Sequence, residues 1–135
     1  MLSADGRRVF DGLLEDVLAT LPEQLHVLME EVPLIVEDEP SAALVEEMGI
    51  EPGEDLCGLH WGIALTHRSV EHSATLPDRM MLFRGPILRV AGWRGLRGGP
   101  GGREALREQI RITLLHEIGH HFGLDEDDLE RLGYG

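Results

Sequence analysis

Residues 103–122 contain no proline and carry Leu106, Ile110, Leu114, Ile118 and Phe122 at every fourth position. Side chains four apart lie on one face of an α-helix, so the run predicts a helix with a broad apolar face. The same stretch carries His116, Glu117 and His120. At about 100° per residue, His116 falls roughly opposite the centre of the apolar series, with Thr113, Glu117 and His120 within about a third of a turn of it. Any fold of this chain must bury one face of the helix and leave the other accessible.

The accessible face has a chemistry of its own. Two imidazoles one turn apart can be directed at one metal ion, and neutral imidazole suits zinc. Glu117, projecting beside them, is placed to act as a general base on water. Gly123 follows three residues after His120, and the acidic cluster Asp125-Glu126-Asp127-Asp128 follows Gly123. Glycine takes the left-handed conformation that ends a helix. A chain turning there can bring a carboxylate of the cluster back as a third ligand, which leaves the fourth position for water. His121 falls on the apolar side, so it is expected as a hydrogen-bonded core histidine or a support for the ligands. Gly119 costs about 1 kcal/mol relative to alanine in a helix, a cost consistent with close packing or with close approach of a substrate.

The chain has 135 residues and one cysteine, Cys57. That length fits one domain over residues 1–135 with one core. A lone cysteine excludes an internal disulfide and fits a reducing compartment, and Cys57 is expected as a small buried apolar residue. The sequence shows no apolar run long enough for a membrane span and no export signal at its start, so a cytoplasmic location is expected. A net charge of -13 argues against nucleic acid or an anionic membrane as partner. The same charge favours neutral or basic peptides over acidic ones.

Upstream, apolar residues at 9, 10, 13, 14, 17, 18 and 21 predict an amphipathic helix that ends before Pro22. A short helix over 23–31, a strand over 32–37, an acidic turn at Asp38-Glu39-Pro40 and a short helix over 42–48 follow. Residues 57–65 read as a second strand and 80–84 as a third, with 87–90 as its extension past Gly85-Pro86. The glycine-rich segment 98–102 separates all of this from the long helix. Helix, strands and helix in this order imply a small α+β domain, with a short mixed sheet packed on the N-terminal helix and the ligand helix. Met29, Met48, Met80 and Met81 are expected to fill the core. His60, beside Trp61, is a possible lining residue of a cleft.

The long helix, its glycine and its trailing acid together resemble the small bacterial zincin-like metallopeptidases, whose motif is HExxHxxGxxD. Leu21-Pro22, Val36-Glu37-Asp38-Glu39-Pro40, Gly58-Leu59-His60-Trp61-Gly62, Leu76-Pro77-Asp78-Arg79 and Phe83-Arg84-Gly85-Pro86-Ile87 are similar to that family's landmarks in the same order. The resemblance implies a zincin-like fold, a Zn2+ cofactor and hydrolysis of peptide or protein substrates. It implies His116 and His120 as metal ligands, Glu117 as the catalytic base and Glu126 as the third ligand. Position 126 is Glu here and Asp in the family pattern, and Asp125 and Asp127 stand as alternatives. Metzincins place a histidine there. Nine residues follow Glu126 in this sequence, too few for the downstream methionine turn of a complete metzincin.

Two rival functions use the same residues. A non-catalytic metal-binding or interaction module would leave Glu117 idle, and structural zinc usually takes four ligands rich in cysteine. An amidase acting on a non-peptide substrate would share the peptidase residues.

Overall fold

The computed structural model describes residues 2–51, 53–61, 79–93 and 102–131, and of Leu28, His60, Trp61, Glu126 and Leu129 the backbone alone. Helix α1 (Ala4–Ala19) begins where the Ser3 hydroxyl accepts the Gly6 N–H at 3.0 Å. It buries Val9, Phe10, Leu13, Leu14 and Val17, the spacing of an amphipathic helix. Helix α2 (Glu23–Met29) leads into strand β1 (Leu34–Glu37). Helix α3 (Ala42–Met48) is capped by Ser41 and stopped by Gly49 at φ 67°.

Strands β2 (Gly58–Trp61) and β3 (Arg79–Phe83) complete a three-stranded sheet of order β1-β3-β2. β1 runs parallel to β3, with Leu34 opposite Met80, and β2 runs antiparallel to it, with Gly58 opposite Leu82. Among the described residues the sheet is therefore mixed, with β2 at one edge. The expected continuation of β2 over 62–65 lies outside the described residues, as does most of the glycine-rich segment.

Residues 87–90 are not a strand extension. Arg84–Ala91 form helix α4, directly after β3. Ile87 and Leu88 are buried next to each other while Arg89 and Val90 are exposed, a pattern that a period of two cannot produce. Pro86 sits in the first turn, where its missing N–H is no loss, and the Gly85 N–H donates to the Asp38 carbonyl at 2.8 Å. A Cβ on Gly85 would displace the end of the Glu39 side chain and sit 3.0 Å from the Asp38 carbonyl.

The long helix α5 (Gly102–Phe122) packs on α1, α4, β2 and β3. Leu106, Ile110, Leu114 and Ile118 are fully buried and share one core with α1 and with Met80 and Leu82 of β3. The short helix α6 (Glu126–Arg131) follows. No helix among the described residues is long and apolar enough to cross a membrane.

Candidate metal centre

Two faces of α5 separate as the periodicity requires. His121 is 1% exposed, on the core side, its ring edge-on to Phe122 with centroids 4.4 Å apart. His116 and His120 are exposed on the other side, with ring centroids 4.1 Å apart and planes tilted by 54°. His116, Glu117 and His120 each offer a ligand atom, and these atoms lie within 4.8 Å of one another. The two imidazoles suit zinc as ligands, and the Glu117 carboxylate stands beside them. Burial, and then repulsion from His116, holds His120 below its ordinary pKa. The neutral form is the one that ligates a metal.

Glu117 belongs to neither face cleanly. It is only 5% exposed, and burial pushes its carboxyl up to about 7. The cause is β2, which crosses α5 at Gly58. A Cβ on Gly58 would come within 2.9 Å of Glu117 Cγ, 3.0 Å of Thr113 Cγ2 and 3.1 Å of the Met81 carbonyl. The absence of a side chain at 58 is what lets the strand close over Glu117 and Thr113.

The end of α5 turns as its glycine predicts. Gly123 has φ 67°, and the Leu124 N–H donates to the Gly119 carbonyl at 2.8 Å. That six-to-one bond, with Leu124 packed on the core, is a Schellman termination. Asp125 then caps α6: its Oδ1 accepts the Asp128 N–H at 2.8 Å, and Asp128 Oδ2 accepts the Asp125 N–H at 3.0 Å. The Asp128 N–H, which leads the favourable contacts, holds the Asp125 carboxyl below its usual range. Neither Asp125 nor Asp127 joins the group formed by His116, Glu117 and His120. Glu126 is the first residue of α6, and its side chain lies outside what the structure describes.

A cleft of about 560 Å³ opens beside the His-Glu-His group. One wall is α5, through Gln109, Ile112 and Thr113 upstream of the histidines. The other is formed by Met48 at the end of α3, by Leu56 and Cys57, and by Gly58 and Leu59 of β2. Cys57 is half-buried rather than buried, and burial, then Asp55, pushes its thiol up. Met48 is 45% exposed on the rim and does not fill the core; Met80 does, at 0%. The His60 side chain lies outside the described residues. Asp55, next to Leu56 in the chain, is joined to Glu39 through Arg89, each bond at 2.9 Å.

Met48, Leu56 and Gly58 were invisible as site residues in the sequence, because their nearness to α5 is set by packing between elements. Ile112 did carry a signal. It is a large apolar residue off the apolar face of α5, 49% exposed, one turn before His116.

A helix presenting His-Glu-His beside a cleft, on a small α+β scaffold with a mixed sheet, defines a fold and site able to hold a metal ion. The family model for zincin-like metallopeptidases matches residues 29–135, most of the chain. The chain belongs to the zincin-like metallopeptidase family. Helix α1, which packs on α5, precedes the matched region. No match is found among curated proteins.

Proposed function

We propose that this protein is a zinc-dependent peptidase in which His116, His120 and Glu126 hold the metal and Glu117 is the general base. The observation that carries the reading is the grouping of His116, Glu117 and His120 within 4.8 Å at a cleft, with Glu117 buried under β2. Zinc supplies Lewis acidity, which activates water at neutral pH and polarises a carbonyl. Glu117 takes the proton of the attacking water on its carboxylate and delivers it to the leaving nitrogen, so that water and peptide become a carboxylic acid and an amine. A base buried in this way is shielded from bulk water, which strengthens its interactions with the reacting groups.

Glu126 is favoured as third ligand by the turn that precedes it and by the commitment of Asp125 to capping α6. A peptide is favoured as substrate because β2, an edge strand among the described residues, borders the cleft through Gly58 and Leu59. Such an edge offers backbone hydrogen bonds to an extended chain. The charge of -13 disfavours nucleic acid and anionic membranes as partners, and the single cysteine suits the cytoplasm.

The test is metal analysis combined with digestion of an unbiased peptide library. Cleavage that disappears on chelation and returns with zinc is expected. A zinc-loaded protein that cleaves no member of the library would sink the reading and favour a binding module.

A further inference from the structure

Thr113 is buried, although it lies on the cleft side of α5. The cause is again β2: a Cβ on Gly58 would stand 3.0 Å from Thr113 Cγ2. The threonine is thereby fixed in place, and Gln109 Nε2 donates to its Oγ1 at 3.2 Å. Gln109 lies one turn further from the histidines, is half-buried and lines the cleft. A carboxamide carries two N–H donors and an acceptor oxygen. Thr113 takes one donor, and among the described residues no other group engages the rest. The amide is held at one corner, with an N–H and a C=O left to bind a ligand.

The opposite wall decides what those two groups can meet. β2, an edge strand among the described residues, borders the cleft through Gly58 and Leu59. An extended chain added to such an edge directs the N–H and C=O of alternate residues at it, and those of the residues between point the other way. Across the cleft stands α5, where Gln109 can receive the C=O and N–H of one such residue. Gln109 precedes His116 by seven positions, about 10 Å along the helix axis. An extended peptide advances about 3.4 Å per residue, so the carboxamide stands about three residues from a bond placed at the His-Glu-His group. Gln109 and Thr113 are uncharged and the chain carries -13, which favours a neutral backbone over a carboxylate there.

We propose that Gln109, positioned by Thr113, binds the backbone N–H and C=O of a single substrate residue about three positions from the bond cleaved. The proposal rests on the peptidase reading for the identity of the ligand, but binding is measured apart from turnover.

Zinc-loaded E117Q protein is titrated with end-blocked tripeptides and octapeptides, and with octapeptides carrying one backbone N-methyl group scanned along the chain. Cleavage by the wild type is followed in parallel. Adding Gln109→Ala should weaken the octapeptide about tenfold, as for two lost hydrogen bonds, and the tripeptide by less than about twofold. Gln109→Met, which keeps the length of the side chain, should do the same. One N-methyl position should cost affinity only while Gln109 is present. Thr113→Val should reduce the cost at that same position, whereas a general structural defect would weaken all peptides alike.

Unchanged octapeptide affinity in both Gln109 variants, equal losses for the short and long peptides, or an N-methyl profile unmoved by Gln109→Ala would each overturn the proposal. So would tighter binding of octapeptides with a free C-terminal carboxylate that is lost with Gln109. Length-dependent binding through Gln109 without cleavage would uphold this site and refute the peptidase reading. Cleavage by wild type and Gln109→Ala with equal KM for octapeptides would refute the site and uphold the peptidase.

Discussion

Gly58 lies so close to Glu117 that a Cβ added to the glycine would sit 2.9 Å from Glu117 Cγ. The strand residue thereby sets where the carboxylate of the helix residue can be. The Met81 carbonyl, 3.1 Å from the same Cβ, is backbone paired in the sheet, so the Glu117 side chain must yield. Gly58→Ala is expected to lower kcat by tenfold or more while zinc content stays at the wild-type level. Overpacking should cost about 1–3 kcal/mol of stability. Zinc content, kcat and a urea midpoint check this, and wild-type kcat in the variant would contradict it.

Gly123 holds a left-handed backbone, φ 67°, between the histidine helix and α6. A Cβ is strained there, so Gly123→Ala should cost about 1–2 kcal/mol. The change should also weaken zinc binding, because the turn carries the chain to Glu126. Zinc affinity by competition with a chelator, beside a denaturation curve, separates the two effects. A stability loss with unchanged zinc affinity would detach the turn from the metal site.

The fold was legible wherever local periodicity and breakers decide structure. Helices α1 and α5 and the turn at Gly123 follow from spacing and glycine chemistry alone, and the strand read over 32–37 is observed over Leu34–Glu37. The strand reading of 87–90 failed because a short apolar run after Gly-Pro fits either element, and tertiary burial of Ile87 beside Leu88 chose the helix. At the site, His116, Glu117 and His120 were legible because one helix supplies them at a fixed spacing. The cleft wall was not, since Met48, Leu56 and Gly58 reach it from separate elements. Burial of Glu117 was equally hidden: it depends on a glycine 59 positions earlier in the sequence.

The third ligand is tested by comparison among neighbours. Glu126→Ala should lose most zinc, whereas Asp125→Ala should keep it and show a lowered thermal midpoint, because its carboxylate caps α6. Asp127→Ala should keep both. Equal zinc retention in all three variants would exclude Glu126 as a ligand.

Stability should respond to acid through Asp38. Its hydrogen bond to Arg7 holds the carboxyl below the ordinary value of 3.8; burial opposes this and Arg84 adds to it. A depressed carboxylate stabilises the fold fully above 3.8, and that contribution is lost as pH falls through its lower value in the folded state. Asp38→Asn is expected to lower stability at pH 6 by about 1 kcal/mol or less, as for partly exposed ion pairs. The gap should close as pH falls below 3.8. Urea midpoints of both proteins between pH 6 and 3 measure it, and a gap independent of pH would contradict the assignment.

The most direct test of the catalytic claim is the rate of peptide hydrolysis by zinc-loaded Glu117→Gln protein, with zinc content measured on the same sample. Glutamine keeps the shape of the side chain under Gly58 and removes its basicity. Full zinc occupancy with hydrolysis reduced by roughly 10²–10⁴-fold, the range for loss of a general base, is the predicted result. Full occupancy with undiminished hydrolysis would contradict it.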